Sequence, residues 1–404
     1  MLKASQNLSL PLSSLYYCIG SLHLLTQQPL SLYIHIPWCV QKCPYCDFNS
    51  HALKHDIPEH DYVQALIKDL DDDIERFALH NRALHSIFIG GGTPSLFSAN
   101  AIDSLLSQVL SRFNYQANIE ITLEANPGTV EADKFIGFAK AGVSRLSIGV
   151  QSFESEKLIK LGRIHDNQQA KRAAELAQSC GVKSFNLDLM HGLPNQTVEN
   201  ALDDLKQAIA LKPDHLSWYQ LTIEPNTAFH SKPPKLPVDE TLWDIQEQGI
   251  ALLAAAGYQQ YEISAYSKAN KQSQHNLNYW QFGDYLGIGC GAHGKITDIN
   301  AQKVFRTVKV KHPKGYLDKT RAALDHLTEV NQSELPFEFM MNQLRLHQAF
   351  NLAHFENTTG LNQQVILPLL NQAKDKNLMT EHNGNWQVSL LGQRYLNDLL
   401  EMFL

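Results

Sequence analysis

From Leu30 onward, short apolar runs alternate with longer stretches that carry apolar residues at helical spacing. Leu30–Ile36 reads as a buried strand closed by Pro37, and residues 86–89 as a second, stopped by Gly90, Gly91 and Gly92. Residues 119–125, 143–150, 182–190 and 215–223 supply four more. Between them, Tyr62, Leu66, Leu70 and Ile74 recur every fourth residue and predict a helix with one apolar stripe. Asp69, Asp71, Asp72 and Asp73 fall on its other face, which reads as solvated surface. Further helices are expected over 101–113 and 167–179. Strands alternating with helices imply right-handed βαβ units and a parallel sheet. Six such units predict an α/β fold, a partial (βα)6 TIM-type barrel that does not close fully.

The sheet is expected to end near Gly294, so that residues 29–294 form one domain and 295–335 connect it to a second, 336–404. There, two helical stretches precede residues 378–388, where Asn383-Gly384 is a strong hairpin signal, and a last helix starts near Leu391. Helices plus a small hairpin suggest a winged-helix-like module. Its four basic residues (Arg345, Lys374, Lys376, Arg394) face six acidic ones, which suits packing or partner binding better than DNA. Residues 1–28 are apolar-leaning but broken by Pro11, serines and His23. Lys3 alone is basic near the start and no small-residue cleavage site follows. They read as a poorly ordered extension, not as a signal peptide or membrane span.

Composition narrows the function. With 44% hydrophobic and 19% charged residues, the 404-residue chain has a folded, soluble profile. A net charge of -7 argues against nucleic acid as a partner. Of six cysteines, three lie within eight residues, which is no disulfide framework and points to a reducing, cytoplasmic setting.

Those three form Cys39-Val-Gln-Lys-Cys43-Pro-Tyr-Cys46, directly after the first strand. Closely spaced thiolates favour a soft metal or an iron–sulfur cluster. Structural zinc prefers four ligands in two pairs, and no second pair accompanies the loop. Three thiolates on a 4Fe–4S cluster leave one iron open for a ligand. Other polar groups fall at successive strand ends, where α/β barrels place their active groups. They are the Gly90–Pro94 stretch, Glu124, Gln151, Arg163 in a Leu-Gly-Arg turn, and Asp188. Alone, each is as readily a tight turn or a helix cap.

The C-x-x-x-C-x-x-C loop after a first strand resembles the signature of the radical S-adenosylmethionine (SAM) superfamily. That resemblance implies a 4Fe–4S cluster on Cys39, Cys43 and Cys46 whose open iron is chelated by SAM, and reductive cleavage of SAM to a 5′-deoxyadenosyl radical. Tyr33, Tyr45, Gly91, Gly92, Thr93, Glu124, Gln151, Arg163 and Asp188 are similar to the SAM-contacting set of the HemN-like branch. So are Ile34-His-Ile-Pro-Trp-Cys39, Phe88-Ile-Gly-Gly-Gly-Thr-Pro94, Gly149-Val-Gln-Ser-Phe153 and His191-Gly-Leu-Pro194, and the likeness runs from Leu30 to Leu404.

Two features divide that branch. The coproporphyrinogen III dehydrogenases carry a fourth cysteine two residues after the last ligand, where this chain has Phe48. The haem-chaperone family instead resembles this chain there, and shares an H-N-x-x-Y-W motif linked to haem, matched by His275-Asn-Leu-Asn-Tyr-Trp280. On this resemblance the chain binds haem through His275, Tyr279 and Trp280 and delivers it to haem-requiring respiratory proteins. His293, His35 and His51 are further candidate ligands. SAM cleavage is implied as a capacity. Oxidative decarboxylation of coproporphyrinogen III is the alternative activity. Peripheral membrane association fits the expected acceptors, and the oligomeric state is left open. Read without the resemblance, His275 and Asn276 cap a helix while Tyr279 and Trp280 fill the core beneath it.

Overall fold

The structure, a computed structural model, describes residues 23–129 and 131–404. The extension expected at 1–28 therefore lies outside the described residues as far as residue 22. Its last part is ordered: Leu25 is buried in the C-terminal core and the Thr26 N–H donates to Asn357 O at 3.0 Å.

Six parallel strands form the centre: β1 (Leu30–Ile36), β2 (Ala83–Gly91), β3 (Asn114–Ala125), β4 (Arg145–Gln151), β5 (Ser184–His191) and β6 (His215–Gln220). They lie in sequence order, each hydrogen-bonded to the next. Helices α1 (Glu59–Arg76), α2 (Ala99–Leu110), α3 (Ala132–Lys140), α4 (Ser155–Lys160), α5 (Asn167–Ser179) and α6 (Val198–Ala210) fill the crossovers. At the far edge β7 (Gln259–Glu262) and β8 (Ala265–Ser267) run antiparallel, so the barrel stays open, as expected. Helix α7 (Asp239–Ala255) packs beside this edge, and α8 (Gln274–Trp280) packs against β2.

The period of two along a strand sorts the side chains. In β1, Leu30, Leu32, Ile34 and Ile36 are all buried in the main apolar core with the Tyr62, Leu66, Leu70 and Ile74 stripe of α1. Each such burial contributes roughly 1.5–3 kcal/mol. The alternate residues Ser31, Tyr33 and His35 join a polar interior: Ser31 bonds Ser86 at 2.8 Å, and Asn186 Nδ2 donates to Ser147 Oγ at 2.8 Å.

Two expectations need correction. The sheet does not end near Gly294. Residues 284–329 add β9 (Asp284–Ile288), parallel to β1, then antiparallel β10 (His293–Asp298), β11 (Lys303–Lys309) and β12 (Leu324–Glu329) to one twelve-stranded sheet. Lys295, Thr297, Thr307 and Lys309 lie buried in these strands and break their apolar pattern. The acidic face of α1 is not all solvated either. Asp69 and Asp73 are buried because β11 brings Lys309 against them, with Nζ 2.6 Å from Asp73 Oδ2, and Tyr316 Oη donates to Asp69 at 2.7 Å. Asp71 and Asp72 pair outward with Arg112 and Lys68, and Asp73 also meets Arg76 at 3.6 Å.

The C-terminal part has its own core, in which Phe339, Phe355, Ile366, Leu370, Trp386 and Leu399 pack. Helices α9 (Leu335–Gln343), α10 (Leu352–Thr359) and α11 (Leu367–Asp375) precede a hairpin of β14 (Met379–His382) and β15 (Asn385–Val388), with β13 (Phe350–Asn351) on its edge. Asn383 and Gly384 both take positive φ, the geometry that a two-residue hairpin turn needs. The last helix is two, Leu390–Arg394 and Leu396–Glu401, separated at Tyr395.

Candidate functional site

The cysteine loop leaves β1 at Pro37 and is tied at both ends. Trp38 and Cys39 pair with His51 and Ala52, and the Leu53 N–H donates to Cys39 O at 2.8 Å. Within it the Cys46 N–H reaches Cys43 O at 3.2 Å. All three thiols are half-buried, and burial raises the pKa of Cys39 and Cys46. Arg163 brings its Nη1 to 3.7 Å from Cys43 Sγ while Nη2 donates to Gly149 O at 2.6 Å. A fixed guanidinium beside a thiolate loop offsets the negative charge that a cluster would carry.

The glycine stretch after β2 lies against this loop. Gly92 and Thr93 donate their N–H groups to Ile36 O and Trp38 O, both at 2.7 Å. A Cβ on Gly92 would sit 2.5 Å from Trp38 O, and one on Gly91 (φ +113°) 2.4 Å from the His35 ring. Both positions exclude any side chain, which lets the backbone itself approach a ligand closely at the barrel mouth.

The Gly91 N–H donates to Glu124 Oε2 at 3.0 Å. Burial, then the charge of Asp188, pushes the Glu124 carboxyl up to about 7. Asp188 is raised by burial as well, against bonds from Asn186 and Ser147. Gln151, with φ +69° at a break in the β4–β5 register, accepts from Tyr219 Oη at 3.0 Å. Tyr33 Oη bonds His35 Nδ1 at 2.9 Å, and His35 Nε2 lies 2.9 Å from Asn49 O. Burial lowers His35 to about 4, so the ring is neutral, donating to the carbonyl and accepting from the tyrosine. Tyr45 packs on Phe229 with ring centroids 6.3 Å apart. Tyr33, Tyr45, Gly91, Gly92, Thr93, Glu124, Gln151, Arg163 and Asp188 thus gather at the carboxyl ends of the parallel strands. Tyr219 and Asn49 belong with them and were not singled out as site residues from the sequence. The polar positions at i, i+2 and i+4 of β1 and β6 are the signal that could have found the first of these.

Beside the loop lies a cavity of about 950 Å³. Its wall includes Tyr33, His35, Phe48, His275, Tyr279 and Tyr285, with His51, His293, Lys42 and Lys311 around it. His275 is buried on α8, with Nδ1 3.1 Å from Ser86 Oγ and its ring 5.1 Å from that of Phe88. Burial lowers its pKa to about 3. Ser273, not His275 or Asn276, caps the helix. Trp280 does not reach the cavity wall. Its indole stacks under Arg345, 4.3 Å from the guanidinium, and its buried Nε1 lacks a hydrogen-bond partner among the described residues. One turn of α8 puts His275 and Tyr279 on one face and Trp280 on the next.

Residues 33–208 match the radical SAM superfamily and residues 330–395 the HemN C-terminal domain. Proteins named heme chaperone HemW from Haemophilus influenzae and Escherichia coli are each 58% identical, across 93% of this chain and 98% of theirs. The one from Bacillus subtilis is 34% identical over 99% of its length. The chain belongs to the HemW family. The solved structure of coproporphyrinogen III oxidase (HemN) from Escherichia coli, a radical SAM enzyme, is also similar, with 25% identity, a TM-score of 0.78 and coverage of 93% of this chain and 90% of that one.

The radical SAM superfamily implies SAM and a 4Fe–4S cluster. The donor set fits: three half-buried thiols on one short loop, a guanidinium beside one of them whose Nε is itself buried and unpartnered, and a side-chain-free cradle alongside. Among the described residues no three His, Cys, Asp or Glu converge on a point fit for a single ion, which a cube with one thiolate per iron does not require. No described helix is long and apolar enough to cross a membrane.

Proposed function

We propose that this protein binds haem in the cavity beside its cysteine loop and delivers it to haem-requiring respiratory proteins, with cluster and SAM serving that transfer. The observation that carries the reading is the joint placement of His275 and Tyr279 on the wall of a roomy cavity that the cysteine loop also borders. A neutral imidazole ligates haem iron, and burial keeps His275 neutral throughout the physiological range. Tyr279 and Tyr285, with centroids 5.0 Å apart, offer flat apolar surface to a porphyrin. Trp280 acts behind them by holding Arg345 and the C-terminal part against α8. Lys42 and Lys311 supply positive charge at the rim for carboxylates.

Hemin added to the purified protein is expected to give a Soret band that saturates. His275→Ala should weaken the affinity at least tenfold, Tyr279→Ala several-fold, and Trp280→Ala less than either. Unchanged affinity in both His275→Ala and Tyr279→Ala would remove haem from this cavity. Turnover of coproporphyrinogen III under anaerobic conditions with SAM and reductant would favour the dehydrogenase reading instead; the exposed Phe48 at the position of the fourth cysteine speaks against it.

SAM supplies a cationic sulfonium, a chelating amino-acid end and ribose hydroxyls. Glu124 is placed to accept from the hydroxyls, Arg163 to meet the carboxylate, and the backbone of Gly91 to Thr93 to line the ligand. Because the Glu124 carboxyl titrates near 7 in the folded protein, it is charged and acceptor-only above that pH and protonated below it. SAM affinity should therefore weaken several-fold as the pH falls from about 8 to about 6. Glu124→Gln should bind weakly and flatten the profile, and a pH dependence retained in that variant would assign the titration elsewhere.

A further inference from the structure

The barrel has a second end, and its chemistry is not used by the haem and SAM reading. Arg145 is the first residue of β4, six residues before Gln151, so it lies roughly 20 Å from the cysteine end of the sheet. Its inward side chain is only 3% exposed. Among the described residues none gives its guanidinium a hydrogen bond or ion pair, and its Nε is buried without a partner. The residue opposite in register, Thr122, likewise has a buried hydroxyl with no partner.

Arginine cannot shed its charge, so a guanidinium taken out of water calls for an anion. The neighbouring carboxylates make no bond to Arg145, although its charge helps hold the Asp188 carboxyl down against burial. Glu120 Oε1 accepts from the His275 N–H at 3.2 Å, Asp188 holds Asn186 and Ser147, and Asp214 pairs with Lys271 at 3.2 Å. Arg145 instead borders a cavity of about 260 Å³ whose wall also carries Lys183, Lys271, Asn270 and Gln272. These are a fork-shaped cation, the ammonium of Lys183 and that of Lys271, which Asp214 already pairs, with the amides of Asn118, Asn270, Gln272 and Gln274 alongside and the single carboxylate of Glu120 opposing them.

We propose that this cavity is a binding site for a compact oxyanion, a phosphate or a small polycarboxylate, held bidentately by Arg145 and flanked by Lys183. The donor set, Arg145 and Lys183 foremost, matches planar, multiply charged oxygen groups. The volume of about 260 Å³ admits such an anion. The site is separate from the cluster end, and Glu120 connects its wall to the backbone of His275.

Calorimetric titration of the full-length, cluster-loaded protein with inorganic phosphate, and separately with malonate, tests this at ionic strength matched with sodium chloride. Saturable binding of one anion per chain is expected, and the tighter of the two names the class. Arg145→Gln should lower the affinity at least tenfold, since one charge-assisted contact is lost. Lys183→Gln, a change outside the core, should lower it several-fold while thermal unfolding without anion stays unchanged. The general stabilisation that such salts give any protein would appear equally in both variants and cancels in the comparison. Absence of saturable binding in the unsubstituted protein, or equal affinity in a folded Arg145→Gln or Lys183→Gln protein, overturns the proposal. If Arg145→Gln does not fold, the Lys183→Gln titration decides.

Discussion

Serine in place of Cys39, Cys43 or Cys46 is expected to take the anaerobically reconstituted protein from about four irons per chain to background, with loss of its visible charge-transfer absorbance. As proposed ligands, the three thiols would each hold one iron, and a hydroxyl is too hard and too weakly acidic to replace one. The loop projects from the end of β1 and the thiols are half-buried, so the barrel core does not depend on them. Far-ultraviolet circular dichroism should therefore be unchanged. Cys180 and Cys290 serve as controls. Cys180 ends α5 inside the main core, and the Cys290 thiol is buried and bonded to Lys311 O at 2.9 Å. Serine at either position should leave the iron count intact. Iron retained in the three loop variants, or lost equally in the controls, would move the cluster away from this loop.

Lys309→Met is expected to destabilise the protein by about 3–5 kcal/mol, because it leaves Asp69 buried without a cation and Asp73 with only Arg76, 3.6 Å away. Burial already holds the Asp73 carboxyl above its usual range, against the pull of Lys309. The loss would spread to the cavity. β11 continues into Val310, whose carbonyl accepts from the Gly291 N–H at 2.9 Å, and into Lys311 on the cavity wall. The urea midpoint should fall sharply in the single variant. A triple change that also converts Asp69 and Asp73 to leucine should recover most of it, since an apolar replacement of a buried ionic group is often neutral or better. A single variant as stable as the parent would show that the triad is hydrated in solution.

These two groups of residues differ in how far the chain announces them. The cysteine loop is local: three thiols within eight residues can meet whatever the surrounding fold, and their chemistry follows from residue type and spacing. The strand-end groups were legible for a related reason. A parallel βα repeat sends the end of every strand to the same rim, so Gly91, Glu124, Gln151 and Asp188 share a mouth once the alternation is recognised. Lys309 lies 240 and 236 residues from Asp69 and Asp73 in sequence and joins them only because β11 crosses α1. A period-based reading places those aspartates on the polar side of the helix and stops there. Trp280 shows the same limit at shorter range. The motif groups it with His275 and Tyr279, yet the helical rotation between adjacent positions turns it toward Arg345 of the C-terminal part.

Local spacing and strand–helix order, read from the chain alone, established an open parallel barrel, a three-thiolate loop at its rim, and a hairpin-bearing C-terminal module. Each rests on contacts between near neighbours or on a repeat whose geometry has one hand. Tertiary structure alone decided which polar groups are buried together: the antiparallel strands beyond Gly294, the Lys309 triad, the cavity between α8 and the cysteine loop, and the unpartnered Arg145. Burial of a polar side chain is set by what packs over it, and the covering segment in each case comes from a distant part of the chain.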